Sequence, residues 1–436
     1  MKTSLLLCGV SVASVIASAQ DTALWTYADC LAYADSHNIS LLKARVSDDV
    51  SAIDLEAAKA QWFPTLDFAT THTFTNRPTT PDGATHNTFA GSYGLNASWT
   101  VFDGNKRSNA IKRADMQQEV TAYAVEEIRN NIETQILSYY LNALYARDAI
   151  VIARQTAEVS KAQRDRAEEL VNTGRLSKVD FSQLDAQYQT DVYNVVAAEG
   201  TYSSRISQLK QLLTLAIDYD MELAPCEFDE AQVLATVPDK TAVYDAALAW
   251  MPQIKGAAVA ESQAALDIDM AKASRYPQIS LNAGIGTSAQ TGINYGYGRQ
   301  LGDNLNEQIG VTISVPILDQ KASKTAVAKA KLDKVLAELN STDLQNQLSQ
   351  SVEQYYIEAR SNQAKYVSGL ESVKSAQVNA DLLEERFAVG YSNTVELLQA
   401  HNQLLNARME LLQSKYMAIL SLKMLDFYTY SSIALP

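Results

Sequence analysis

Side chains that could do chemistry are few in this 436-residue chain, and their spacing suits no reaction. The four histidines, His37, His72, His86 and His401, fall singly, without the short intervals of a metal-binding pair. Chance surface placement accounts for each. Cys8 lies in an apolar leader, while Cys30 and Cys226 stand far apart. An exported chain could join these two, and the sequence leaves that pairing open. There is no glycine-rich phosphate loop, nucleophile motif or metal cluster. Asp and Glu outnumber Lys and Arg by 50 to 36, for a net charge of −14, and they spread along helix faces where solvation is the default. An enzyme is therefore not expected, no cofactor or metal is called for, and nucleic acid is a poor partner because phosphate binding wants a basic face.

What the sequence does specify is architecture. Lys2, the apolar run Leu5 to Ile16 and Ala17-Ser18-Ala19 read as a signal peptide over 1–19, with the mature chain starting near Gln20. No later run approaches the ~18 apolar residues of a spanning helix, so membrane contact must come from strands or from a surface.

One short break between helices occurs twice at a constant offset. Its first copy runs from Ala167 to Asp180 around Gly174, its second from Leu383 to Glu396 around Gly390, with Glu-Glu, Gly and Val-acid in the same places. Gly ends helices readily at the C′ position, and Ser177 and Asn393 suit the N-cap of the next helix. Each break predicts the tip of a long helical hairpin. The segments ending at Pro64 and Pro277 also match, both closing on aromatic-Pro; the residue before Pro is pushed to extended geometry.

After Pro64 the apolar period changes from 3.6 to 2. Leu66, Phe68, Thr70, His72 and Phe74 alternate, then Phe89, Gly91, Tyr93, Leu95, Ala97, Trp99 and Val101 after a turn-rich loop at 76–83. The second half repeats this with Ile279 to Ile285 and Ile309 to Val315, around a Gly-, Asn- and Tyr-rich loop at 284–306. Asp103 and Asp319 then suit the N-caps of two Pro-free helical patterns. At 1.5 Å per residue each such helix is roughly 100 Å long and needs neighbours along its length. A short helix plus a return helix nearly equals one long helix, so the short pair should stack end to end beside it.

The resulting division is a first repeat at 20–217, with a β-hairpin at about 65–101, a long helix at about 104–172 and a return helix at about 177–217. An equatorial linker follows at 218–240. The second repeat covers 241–427, with a hairpin at about 278–316 and helices at about 320–389 and 393–427, before a tail at 428–436.

The order of these parts, repeated twice, resembles the TolC-like outer-membrane efflux proteins over nearly the whole mature chain. The resemblance implies a mainly α fold with a small transmembrane β part, in a homotrimer with four strands per protomer. Three protomers would share a twelve-stranded outer-membrane barrel continued by a twelve-helix periplasmic tunnel. It implies an outer-membrane protein with most of its mass in the periplasm, acting as a passive exit duct. A periplasmic adaptor protein would dock on Thr173, Gly174, Arg175 and Leu176 and on Val389, Gly390, Tyr391 and Ser392, linking the duct to an inner-membrane pump. Asp180, Glu396 and Gln399 fall where members carry the periplasmic gate, whose acids can form a cation-selective ring. Here Gln399 replaces a second acid and Ser392 a basic latch residue. The other reading of the pattern is a periplasmic coiled-coil scaffold without a pore, for which two strand hairpins have no use.

Overall fold

The computed structural model describes residues 24–78 and 87–435; the expected leader and most of the first hairpin's turn lie outside them. The chain begins with α1 (Tyr27–His37) and α2 (Ile39–Ala60), which share Asn38 as C-cap and N-cap. Strands β1 (Thr65–Asn76) and β2 (Asn87–Phe102) lead to α3 (Lys106–Asn172), which spans 67 residues. The return helix is α4 (Lys178–Leu213). A linker carrying α5 (Glu230–Val233) precedes the second half: α6 (Lys240–Trp250), α7 (Pro252–Ala273), β3 (Gln278–Gln290), α8 (Tyr297–Asp303) and β4 (Asn306–Ser314). The last two helices are α9 (Ala322–Ala388), again 67 residues, and α10 (Thr394–Tyr430).

The two halves merge into one antiparallel sheet in the order β1-β2-β3-β4. Its register stacks like on like. Phe68 faces Leu95, Leu95 faces Ile285, and Leu281 pairs with both Trp99 and Val311, which makes one face apolar. The other face is polar: the Ser98 hydroxyl donates to Asn282 at 3.1 Å, and the Asn282 amide donates to Thr312 at 3.2 Å. Leu66, Phe68, Ile309 and Val311 are 64–79% exposed, so nothing among the described residues covers the apolar face there. Where sheet meets helices, the Trp99 indole donates to the Trp62 carbonyl at 2.9 Å and the Arg107 guanidinium lies 4.5 Å over the Trp62 ring. Among the described residues no helix is long and apolar enough to cross a membrane.

Along the long helices the short ones stack end to end. At one junction the Asn38 amide donates to the Leu212 carbonyl and the Thr214 hydroxyl to the His37 carbonyl, pinning the start of α2 to the end of α4. At the other, the Trp250 indole donates to the Tyr428 carbonyl. Around these junctions lies the main core, a belt in which Ile136, Leu137, Tyr140 and Leu144 of α3 meet Leu209, Leu213, Val233, Val243, Val352 and Leu425. Cys30 and Cys226 are buried in this belt and are not joined by a disulfide.

Several boundaries differ from the sequence expectation. The return helix stops at Leu213 rather than near 217, because Thr214 takes a left-handed φ of 59°. The final helix continues to Tyr430, into the expected tail, because Phe427 belongs to the belt and holds the last turns in place. Strand β3 runs on to Gln290, and α8 interrupts the expected loop. There the buried Gln300 amide closes the strand's unpaired edge, its Oε1 accepting from the Gln290 amide and its Nε2 donating to the Gln290 carbonyl. Asp103 and Asp319 lie two residues before the N-cap positions of α3 and α9, across the left-handed pairs Gly104-Asn105 and Gln320-Lys321. Each carboxylate still accepts a first-turn amide, from Arg107 at 3.2 Å and Ser323 at 2.8 Å.

Candidate functional site at the helical tips

Both tips close by the same backbone device. At the end of α3 the Gly174 amide donates to the Val171 carbonyl at 2.9 Å and the Arg175 amide to the Leu170 carbonyl at 2.8 Å. At the end of α9 the Gly390 amide donates to Phe387 at 3.1 Å and the Tyr391 amide to Arg386 at 2.8 Å. This double bond pattern is the Schellman motif, which requires a left-handed C′ residue. Gly174 and Gly390 supply it with φ of +75° and +84°, and a Cβ on either would meet nothing within 4 Å. Both turns therefore present bare backbone to open space.

The flanking side chains differ. Thr173 folds its hydroxyl back onto the Glu169 and Leu170 carbonyls, Arg175 is exposed, and Leu176 is half-buried. On the second tip Val389 and Tyr391 are 69% and 78% exposed, while Arg386 donates to the Tyr391 carbonyl. Beneath the turns one residue from each long helix, Ala167, Leu184, Phe387 and Leu397, forms a small buried cluster, against which Leu176 packs.

Asp180 and Glu396 each sit three residues after an N-cap. The Ser177 hydroxyl donates to Asp180 at 2.6 Å, and the Asp180 amide donates back to Ser177. The Ser392 hydroxyl donates to Glu396 at 2.8 Å, and the Glu396 amide donates to Asn393. Both carboxyls are held below the ordinary range, Asp180 chiefly by Ser177 and then by Thr394, Glu396 chiefly by Ser392. The two acids are not equivalent. Asp180 reaches the other hairpin, accepting from the buried Thr394 hydroxyl at 2.9 Å. Glu396 stays on its own turn, exposed, with Gln399 exposed one turn further along the same helix.

Sequence reading passed over two residues that tie the hairpins. Thr394 is one. The other is His401, expected at the surface and in fact 7% exposed, facing the buried Asp191 of α4 at 3.3 Å. The signal was there: Asp191 follows Leu184 by two turns and His401 follows Leu397 by one, placing polar side chains on the apolar stripe. His37 and His72 are exposed, and His86 lies outside the described residues.

The family model described as "Outer membrane efflux protein" matches residues 31–214 and 243–429. Outer membrane protein TolC of Escherichia coli is 24% identical over 87% of this chain and 77% of its own. Outer membrane efflux protein BepC of Brucella suis is 21% identical over 94% and 87%. Among solved structures, CusC superposes with a TM-score of 0.77 at 17% identity, covering 94% of this chain and 95% of that one.

Proposed function

The chain belongs to the outer membrane efflux protein family, and from that membership we propose that three copies close into one continuous duct with the tips at its periplasmic entrance. It is a TolC-like outer-membrane efflux channel of tripartite efflux or type I secretion systems, and it transports rather than catalyses.

The two flanks of the protomer carry the trimer reading. Strands β1 and β4 end the sheet, and unpaired strand edges cannot face lipid. Helix α2 runs into β1 and β4 into α9, and these two helices are the outer members of the row α2, α3, α7, α9. Each bears an exposed apolar stripe: Leu42, Val46, Val50 and Ile53 on α2, and Leu332, Val335, Leu336 and Leu339 on α9. Sheet edge and helix stripe thus lie on the same two flanks. Head-to-tail contact between copies covers both at once, and a closed ring leaves neither open. The uncovered apolar sheet face then meets lipid and the polar face a wet lumen, with Trp62 and Trp99 at the level where aromatic rings sit in the membrane interface.

At the far end Thr173 to Leu176 and Val389 to Ser392 meet the periplasmic adaptor, which links the duct to an inner-membrane pump. The bare glycine backbone and the exposed Val389 and Tyr391 are what support that role. Glu396 lines the entrance in triplicate, with Asp180 and Gln399 beside it. The test is mass measurement in detergent followed by planar-bilayer recording. A trimer that conducts, prefers cations and loses part of that preference in Glu396→Gln is expected. A monomer removes the architecture, and unchanged selectivity removes the acidic ring.

A further inference from the structure

We propose that the seam between copies, at the level where strands give way to helices, binds the phosphate of an anionic phospholipid. The proposal rests on the head-to-tail ring of copies and adds its ligand. Two corners of the protomer border that seam. The turn from α2 into β1 carries Lys59 and Phe63, and the turn from β4 into α9 carries Ile317, Leu318, Lys321 and Lys324. Phe63, Ile317 and Leu318 are 73%, 89% and 95% exposed, and the three lysines are exposed as well. Both corners lie on flanks that the ring covers, so closure sets the first corner of one copy against the second corner of the next. Neither corner makes the site alone.

The charge there is one-sided. The molecule has 50 acids against 36 bases, yet these two turns bring three lysines and one carboxylate, Asp319. That carboxylate is turned onto its own helix, accepting from the Ser323 amide at 2.8 Å and from the Ser323 hydroxyl. None of the three lysines forms an ion pair among the described residues. Glu56, one turn back on α2, leaves Lys59 unpaired, and no carboxylate follows on α9 before Asp333. Lys106 and Arg107 do not join the set, because with Thr100, Gln278 and Ser314 they line a cavity on the polar face of the sheet. Nor do the lysines serve α9 itself, since cations at a helix start oppose its dipole. The return helices α4 and α10 begin instead with Asp180 and Glu396. Ring closure therefore gathers like charges that repel one another, and an anion between them relieves the repulsion.

What adjoins the lysines names the anion. From Ile317 and Leu318 the exposed apolar surface continues through Val315 and Ile313 into the uncovered face of the sheet. A ligand that fits both parts carries a phosphate and hydrocarbon chains. Lysine stems can lie along such chains while the ammonium groups reach the headgroup. A zwitterionic headgroup brings its own cation beside the phosphate and gains less from the lysines than an anionic one. Each lysine near an anionic lipid surface strengthens binding about fivefold. A ring of three copies has three such seams.

The experiment is tryptophan fluorescence of the purified protein in vesicles that mix phosphatidylglycerol and phosphatidylcholine, with one or the other brominated on its chains. Bromine quenches the indoles it touches. Trp62 and Trp99 meet at the strand-to-helix level, whereas Trp25 and Trp250 pack against the belt. Relative binding should favour phosphatidylglycerol by at least about fivefold. In Lys59→Gln/Lys321→Gln/Lys324→Gln, checked as a trimer by mass, the two lipids should quench equally. Equal quenching in the unmodified trimer, or an undiminished preference in the triple variant, would overturn the site. Quenching by neither lipid would instead overturn the placement of the sheet in the bilayer, and a monomer by mass would overturn the ring; either takes the site with it. Inorganic phosphate, added at matched ionic strength, should leave the preference intact. Its loss would mean that the lysines hold free phosphate, and the lipid assignment would fall.

Discussion

The belt and the tips are built on the same four long helices and are held together in different ways. At the belt, α3 and α9 are wrapped by α1, α4, α6, α10 and the linker, and large side chains such as Tyr140, Leu141 and Leu425 are almost wholly buried. At the tips a cluster of four buried apolar side chains and a few polar ties do the same task. Apolar burial contributes about 25 cal/mol per Å², so the resistance to separation is concentrated at the belt. Local opening follows the regions with few buried contacts. The molecule is anchored at its waist and separable at its foot.

Ways to break that contrast run from large to small. Leu144→Ala in the belt should lower the stability of the folded protein by about 3 kcal/mol, the usual cost of a core Leu→Ala change, measured as a drop in thermal midpoint. Leu397→Ala at the tip should move that midpoint far less and raise basal conductance instead. Equal midpoint shifts would show that the tips are as firmly anchored as the belt.

Gly390→Val and Gly174→Val come next. No neighbour blocks a side chain at either site, so the direct penalty is the left-handed φ, about 1–2 kcal/mol. That strain is confined to a turn remote from the belt. The yield of folded protein should hold while export in cells falls, and export at the unmodified level would dissociate the glycine turns from the docking proposed for them.

The smallest effect belongs to the tie between Asp180 and Thr394. Asp180→Asn keeps the shape and weakens a bond worth about 1 kcal/mol, so channel openings should become a few times more frequent. Because hydrogen bonds hold the folded carboxyl low, its contribution is present above the ordinary carboxylate range and disappears as pH falls through the lowered value. Opening events that rise again in strong acid in the unmodified channel, and not in Asp180→Asn, would display that sign.

Much of this was legible in the chain, and the limits have physical reasons. Period 2 against period 3.6 separates strands from helices, and the Gly-centred breaks mark the tips because only glycine accepts a left-handed C′ without strain. The strand-to-helix corner shows the converse. Gly104-Asn105 announces a left-handed pair, whereas its equivalent, Gln320-Lys321, adopts the same conformation with residues that give no warning. Helix α8 was hidden because its purpose, filling the edge of β3 with the Gln300 side chain, depends on a register that no local pattern encodes. At the tips, the capping roles of Ser177 and Asn393 follow from residue type. The cross-hairpin partners of Asp180 and Asp191 do not, since they arise only when α4 meets α10.

The belt also constrains the order in which the molecule can form. Trp25 is sewn to the linker through backbone bonds, its amide donating to Glu222 and its carbonyl accepting from Ala224, while the Ile433 amide donates to Glu133. The residues just before α1 thus wait for the middle of the chain, and α3 waits for the residues that follow α10. Contacts of such separation form late, because the loops they close are long. A chain delivered from its N-terminus can wind its long helices early, but its waist is buckled last. Until then α3 and α9 lack the segments that wrap them at the waist.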